Sequence, residues 1–221
     1  MKHRLVLWGL ILVLVISSTG CLGKGTRWRN SLEELELSSL FSEEEGYHFA
    51  PVEWGMDDAA FQKATENALT SVGGYGAHNI SIYNADGLGV RLQGRVCDGA
   101  TAAFDEDNIC YMVTFIFRES QYSTSTVTLK ELSASYYEKL CDTFGEPDEV
   151  LEDTSTSNNI TMHYKEYYWN HTRPDGKITQ LQWAKAYTVD EKDPTMLSLG
   201  VICLTDKLRE QMAADETKTE E

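Results

Sequence analysis

The sequence predicts an α+β fold, in which an antiparallel sheet carries helices on one face, with a possible tandem repeat of a helix followed by strands. Apolar side chains at alternate positions from Ile109 to Phe117 are typical of a strand with one buried face. Apolar side chains at helical spacing from Leu132 to Phe144 predict an amphipathic helix. Both predicted helices precede a group of strands, and this segregated order favours α+β architecture.

The first helix is predicted over residues 58–70. Asp57 is a good N-cap, and the glycine-rich stretch 71–76 ends the helical pattern. The second helix should end at Gly145, which is a typical residue just beyond a helix terminus.

Strands are expected to fill the remainder of the domain. Leu88–Val96 reads as one strand, Ile109–Phe117 as a second, and Val127 with Leu129 as a shorter third. A polar loop is expected over 148–159, followed by strands near 160–170, 177–188 and 196–204. The domain therefore spans 49–204, with candidate halves 49–130 and 131–204.

The first 21 residues resemble a bacterial lipoprotein signal. Lys2 and Arg4 precede an apolar run, Leu5–Ile16, that is too short to span a bilayer as a stable helix. Ser18 then stands where the lipobox normally has a branched apolar residue, two positions before the glycine that precedes Cys21. We expect a signal peptide over 1–20, lipid on Cys21 and a location on the extracytoplasmic side of the cell membrane. An uncleaved anchor helix and an ordinary secretory signal are the alternatives.

Acidic side chains dominate the mature chain. Without Lys2 and Arg4, 17 basic side chains face 35 acidic ones. No basic patch is visible, so nucleic acid is not an expected partner. The acidic segments 21–48 and 205–221 are interpreted as a solvated tether and tail.

Two short motifs frame the predicted domain. Trp54-Gly55-Met56-Asp57 opens the first helix and Phe144-Gly145-Glu146-Pro147 closes the second. They resemble the Trp-Gly-Met-Ser and Tyr-Gly-x-Pro landmarks of small, mostly uncharacterised bacterial lipoproteins. The architecture of that group is similar to the β-lactamase inhibitor protein and to the small lipoprotein of the outer-membrane assembly machinery. The resemblance covers about residues 49 to 204, with Asp57 and Phe144 as conservative departures, and it implies a non-enzymatic, protein-binding role.

Four cysteines remain when Cys21 is set aside. Cys141 and Cys203 fall at apolar positions of a helix and a strand, as expected of small buried residues. Cys97 and Cys110 flank the segment 98–109 and could form a disulfide if their strands are neighbours. Two free thiols are the alternative.

No catalytic residue, metal site or cofactor is predicted. The histidines of the mature chain are scattered and lie in no zinc-type or nucleophile motif; they are His48, His78, His163 and His171. The carboxylates of Asp105–Asn108 crowd one turn. The EF-hand register fails there because Cys110 stands where glycine is needed, so an acidic hairpin turn is preferred.

The face of the sheet away from the helices is the predicted recognition surface, because arginine, aromatic and amide side chains suit interface hot spots. The candidate partner-binding residues are Arg91, Gln93, Arg95, Tyr167, Trp169, Gln180 and Gln182. The alternative is that these side chains only stabilise the sheet through cross-strand pairs.

These features predict a membrane-anchored extracytoplasmic lipoprotein whose domain binds a protein or another envelope component without catalysing a reaction. Two alternatives stay open. A carrier of a small apolar ligand or lipid would need a cavity between helices and sheet, lined by Phe61, Tyr137 and Phe115. A hydrolase would need a site assembled from residues distant in sequence.

Overall fold

The computed structural model describes residues 32–75, 80–85, 87–119, 125–157, 160–188 and 193–210. The predicted signal peptide, Cys21, His78 and the tail from residue 211 onward lie outside the described residues. The described elements are a 3₁₀ helix at Leu37–Leu40, helices α1 (Asp58–Ala64) and α2 (Leu129–Phe144), and the following strands. They are β1 (Phe41–Ser42), β2 (Gly46–Tyr47), β3 (Ser71–Tyr75), β4 (Ser81–Asn84), β5 (Arg91–Leu92), β6 (Arg95–Val96), β7 (Gly99–Phe104), β8 (Cys110–Arg118), β9 (Glu149–Ser157), β10 (Ile160–Thr172), β11 (Ile178–Thr188) and β12 (Met196–Leu204).

An antiparallel eight-stranded sheet organises the molecule, which confirms the predicted α+β class. Its strand order is β3-β4-β7-β8-β12-β11-β10-β9, while β1-β2 and β5-β6 form separate two-stranded sheets. On each side of the central β8–β12 pair, the strands nearer the edge of the sheet come earlier in the chain. The strands of each half therefore form one meander that follows one helix. The sequence repeat that would align α1 with α2 stays a prediction.

The two helices begin at well-formed N-caps. The Asp57 side chain accepts a hydrogen bond from the backbone N–H of Ala60 at 2.8 Å, as predicted. Helix α1 nevertheless ends at Ala64 rather than at 70, because Glu66 and Asn67 have positive φ values of 53° and 65°. The predicted end of α2 at Gly145 is confirmed by a positive φ of 84° there.

The predicted short strand at Val127 and Leu129 is wrong, because this segment starts α2. Thr128 is the N-cap, and its hydroxyl accepts the Glu131 N–H at 3.2 Å. The Glu131 carboxylate in turn accepts the Thr128 N–H at 2.9 Å, which completes a capping box.

Three strand predictions also need correction. Leu88–Val96 is interrupted by a tight turn at Gln93 and Gly94, with φ values of 50° and 82°, so it forms the β5–β6 hairpin. The expected loop 148–159 contains β9, a polar strand at the edge of the sheet. The segment 98–109 contains β7, whose small alanine side chains hide the alternating pattern. The three later strands are confirmed as β10, β11 and β12.

The main core lies between the helices and one face of the sheet, here called the helix-side face. Phe61 of α1 packs on Phe104 of β7 with ring centroids 5.5 Å apart. Tyr136 of α2 packs on Trp183 of β11 at 5.2 Å. Burying these large aromatic side chains supplies much of the free energy that holds the helices to the sheet.

The expected tether over 21–48 does not hold for the described residues 32–48. Leu40 and Tyr47 are 1% and 5% exposed in the main core. The Tyr47 N–H also donates to Thr179 Oγ1 of β11 at 2.9 Å. Apolar side chains within the acidic stretch therefore fix it to the domain. At the other end, Leu208 is 2% exposed and packs near Ile202, so the described residues 205–210 also belong to the fold.

The considered disulfide between Cys97 and Cys110 is not formed, and both side chains are buried. Cys97 lies just before β7 and Cys110 begins β8, so the cysteines lie at opposite ends of the β7–β8 ladder. Gly99 pairs with Ile116 at one end, and Phe104 pairs with Cys110 at the other. About 17 Å of strand separates the two ends, whereas a disulfide needs Cα atoms within roughly 7 Å.

Candidate functional site

The predicted recognition residues do not share one surface. Arg91, Gln93 and Arg95 belong to the β5–β6 hairpin, which is not part of the large sheet. Arg91 Nε donates to the Leu32 carbonyl at 2.9 Å. The Gln93 side-chain oxygen accepts from Ser135 Oγ at 2.6 Å. These contacts join the hairpin to the N-terminal segment and to α2.

Arg95 is a structural residue in this fold. Its side chain is only 2% exposed. Nη1 donates to the Val127 carbonyl at 2.7 Å and lies 3.6 Å from a Glu119 carboxylate oxygen, while Nη2 donates to the Arg118 carbonyl. The guanidinium thus ties β6 to the end of β8 and to the residues just before α2.

Tyr167 and Trp169 lie on the helix-side face, opposite to the expected orientation. Trp169 is 1% exposed, and its indole N–H donates to the Gly145 carbonyl at 2.8 Å, so it packs under the end of α2. Tyr168 is the aromatic residue of this segment that lies on the other face. The predicted faces of β10 were exchanged, because aromatic side chains occur on both faces of this strand and the sequence pattern does not distinguish them.

Gln180 and Gln182 do lie on the sheet face away from the helices, as expected, but they are 1% and 4% exposed. Gln182 Nε2 donates to Tyr168 Oη at 2.8 Å, and Tyr168 Oη donates to Glu166. Several buried polar atoms near this network have no hydrogen-bond partner among the described residues: Glu166 Oε1, Gln180 Oε1, Ser198 Oγ and Thr114 Oγ1. The middle of this face is therefore a closed polar layer, with buried apolar clusters beside it, rather than an open surface.

Another group of polar and aromatic side chains, some buried and some half-buried, lies where α2 meets β10 and β11 on the helix-side face. We call Tyr137, Lys165, Tyr167, Lys185 and Tyr187 the tyrosine–lysine patch. The rings of Tyr137 and Tyr167 lie 4.6 Å apart between centroids. Lys185 Nζ lies 5.1 Å from the Tyr137 ring centroid and 5.2 Å from that of Tyr167. This arrangement is a double cation–π contact.

The strand ladder positions these side chains. Lys165 lies directly opposite Lys185, and His163 lies directly opposite Tyr187, which places both Lys-x-Tyr segments on one face. On α2, Tyr137 follows the buried Tyr136 and so stands at the margin of the stripe that contacts the sheet. The patch therefore lies at the edge of the sheet area that α2 covers.

The two lysines of the patch have different electrostatic surroundings. Lys165 Nζ lies 2.6 Å from Glu152 Oε1, and this hydrogen bond raises the pKa of Lys165 and lowers the pKa of Glu152. Burial lowers the pKa of Lys185, with a further contribution from the positive charge of Lys165. Lys185 makes no ion pair with a carboxylate in the part of the chain that the structure describes.

The tyrosine hydroxyls of the patch remain protonated at neutral pH. Burial is the largest cause that raises the pKa of Tyr137, Tyr167 and Tyr187. Protonated tyrosines can donate hydrogen bonds to an acceptor, and the two lysines can donate as well. Val150, which pairs with Tyr167 across the ladder and is 45% exposed, adds an apolar rim.

Sequence reasoning included Tyr167 as a recognition residue and Tyr137 only as lining of a possible apolar cavity, and it missed Lys165, Lys185 and Tyr187. A signal was available in the paired segments Lys165-Glu166-Tyr167 and Lys185-Ala186-Tyr187 on adjacent predicted strands. Antiparallel pairing brings such segments together on one face.

The remaining polar motifs have structural partners. Asp105 Oδ1 accepts the N–H groups of Asp107 and Ile109 at 3.0 and 2.9 Å, as in an Asx turn. His163 Nδ1 lies 2.9 Å from Thr154 Oγ1. Within the described ranges, no group of three His, Cys, Asp or Glu side chains is placed to hold a metal ion.

None of the described helices is both long enough and apolar enough to cross a membrane. Comparisons with protein-family models, curated proteins and solved structures found no match for this chain.

Proposed function

We propose that this chain is a lipid-anchored extracytoplasmic binding module that recognises another protein through the tyrosine–lysine patch. The observation that carries this proposal is the Lys185 ammonium, which lies over two adjacent tyrosine rings at the margin of α2, with the exposed Val150 paired to one of those tyrosines across the ladder. Rigid tyrosines next to a poorly solvated charge are the chemistry of interface hot spots.

The lipid anchor in this proposal rests on the N-terminal sequence. Its test is metabolic labelling with a radioactive fatty acid in the native host. Wild-type chain should carry label, and Cys21→Ser should not. A label retained by Cys21→Ser would contradict the anchor but would leave the binding proposal standing, because the patch lies in the folded domain.

The packing of the core favours recognition at the surface over carriage of an apolar ligand. The carrier alternative needs an apolar cavity lined by Phe61, Tyr137 and Phe115. Phe61 packs instead on Phe104, and Phe115 packs on Phe49 with ring centroids 4.6 Å apart. Tyr137 packs on Tyr167 with tilted rings at the margin of α2. These aromatic side chains therefore pack against one another and not around a shared cavity.

Site-specific photocross-linking in native envelopes tests the binding proposal. A photoreactive amino acid replaces Val150 at the rim of the patch or, as a control, Ala59 on the exposed side of α1. Position 150 should give one discrete adduct that position 59 does not give. Diffuse adducts of equal yield at both positions would contradict recognition by this surface.

A further inference from the structure

The tyrosine–lysine patch contains a like-charge pair that the sheet itself leaves incompletely neutralised. Lys165 and Lys185 occupy directly opposed positions of β10 and β11 on the same face. Like charges at directly opposed positions destabilise an antiparallel pair. One carboxylate, Glu152, neutralises Lys165 at 2.6 Å, so one positive charge of the patch remains without a carboxylate among the described residues.

The remaining charge is poorly hydrated. Lys185 as a whole is 9% exposed, and the tyrosine rings at 5.1 and 5.2 Å occupy space that water would otherwise take. An ammonium in such surroundings gains more from an incoming anion than a fully solvated lysine does, because less water must be displaced. The side chain of Lys165, directly opposite in the ladder, is 37% exposed, so the patch meets solvent on that side.

Building on the proposed function, we propose that the tyrosine–lysine patch receives a single carboxylate from a protein partner, with Lys185 as its ion-pair partner. One uncompensated positive charge matches a singly charged group. Tyr167 and Tyr187, on the same face of β10 and β11, carry neutral hydroxyl donors that can add hydrogen bonds to the bound group. The exposed Val150 and the tyrosine rings suit the apolar surroundings of an aspartate or glutamate side chain on a protein surface.

The charge of the chain favours a protein carboxylate over the phosphodiester of a lipid headgroup. The mature chain carries 35 acidic side chains against 17 basic ones. A bilayer rich in anionic lipid would repel such a chain as a whole. A single carboxylate on a partner is attracted or repelled mainly by the charges close to the patch, because salt at 0.1 M screens charges beyond about 10 Å. The lowered pKa of Lys185 is consistent with a lysine that lacks its anion.

Nuclear magnetic resonance of lysine side chains in the full-length chain, labelled with ¹³C at Cε, tests this proposal. The probes are N-acetyl-aspartyl amide as a carboxylate, dimethyl phosphate as a phosphodiester and sodium chloride at equal ionic strength. We expect N-acetyl-aspartyl amide to shift the Lys185 and Lys165 signals saturably and to raise the pKa of Lys185. Lys63, an exposed lysine at the end of α1, should respond to it no more than to chloride.

Variants make the outcome specific. Lys185→Gln should weaken the response of Lys165 to the carboxylate at least fivefold, because the variant lacks one partner of a poorly hydrated ion pair. Lys185→Arg and the matched control Lys63→Gln should retain the response. A thermal unfolding curve for each variant verifies the fold. A saturable response to dimethyl phosphate with none to the carboxylate would overturn the assignment, and so would equal responses of Lys185 and Lys63. Failure here would still leave a discrete cross-link from position 150 as support for binding by other chemistry.

Discussion

The backbone N–H of Tyr47 donates to Thr179 Oγ1 at 2.9 Å, which joins an N-terminal segment to the middle of the large sheet. Thr179 is fully buried on β11, 132 residues later in the chain. The contact leaves little room, because a Cβ on Gly46 would lie 2.1 Å from the same hydroxyl oxygen. The segment 32–48 is therefore a part of the domain with a defined position.

Thr179→Val should lower the free energy of unfolding by about 1–3 kcal/mol, because it leaves the buried N–H of Tyr47 without an acceptor. Urea denaturation measures the change. Thr172→Val, an exposed threonine at the end of β10, is the matched control and should change stability by less than about 0.5 kcal/mol. Equal effects of the two substitutions would contradict a specific role for the Tyr47–Thr179 bond.

Arg95→Met should destabilise the fold by about 2–4 kcal/mol, since the carbonyl groups of Val127 and Arg118 lose a charged donor. Chemical denaturation reports this loss. Discrete cross-linking from position 150 should persist under conditions where the variant remains folded. A variant as stable as the wild type would show that the buried guanidinium contributes nothing net.

Glu166→Gln should stabilise the domain by on the order of 1 kcal/mol at pH 7, because it removes a buried charge with one unpaired oxygen. Burial raises the pKa of Glu166, so the folded chain holds a proton that the unfolded chain releases at lower pH. The stability of the wild type therefore falls as pH rises from the ordinary glutamate pKa through the raised one. The variant should therefore be more stable than the wild type above the raised pKa of Glu166, and this difference in stability should vanish below the ordinary glutamate pKa.

Urea denaturation of Glu166→Gln at pH 4 and pH 7 checks the sign of this effect. Glu138→Gln, on the exposed side of α2, serves as the control. A variant that is less stable than the wild type at pH 7 would mean that the ionised carboxylate is well compensated in the closed polar layer.

Cysteine accessibility should distinguish Cys141 from the three buried thiols. Cys97, Cys110 and Cys203 are buried, and burial raises the pKa of Cys110 to about 12. Iodoacetamide should label Cys141 first, and the others only on unfolding. A reducing agent should leave the melting temperature unchanged. An intact mass that shows a disulfide, or a melting temperature lowered by reduction, would contradict free thiols.

The predictable part of this fold is the part whose apolar side chains recur at regular spacing. Helix α2 and strands β8, β10, β11 and β12 follow clear apolar periods, and Gly145 ends α2 as its sequence indicates. Strand β9 could not be recognised because an edge strand needs no apolar face. The β5–β6 turn was missed because Gln93 adopts a positive φ that favours glycine or asparagine.

The candidate site was only partly predictable. Tyr167, Tyr168 and Trp169 follow one another in β10, so the pattern could not say which of them lies on which face. Register with β11 decides this, because it places Lys165 opposite Lys185 and Tyr167 opposite Trp183. The area of the sheet that α2 covers depends on tertiary packing. Periodicity along the sequence therefore could not separate Tyr187 at the margin from Trp183 in the core.

The most direct test of recognition by the tyrosine–lysine patch is the yield of the position-150 adduct in native envelopes when Lys185 is substituted. We expect Lys185→Gln to reduce the yield at least tenfold, because a partner charge would be left poorly hydrated and unpaired, while Lys63→Gln leaves it unchanged. A discrete adduct of equal yield in wild type, Lys185→Gln and Lys63→Gln would contradict the role assigned to Lys185.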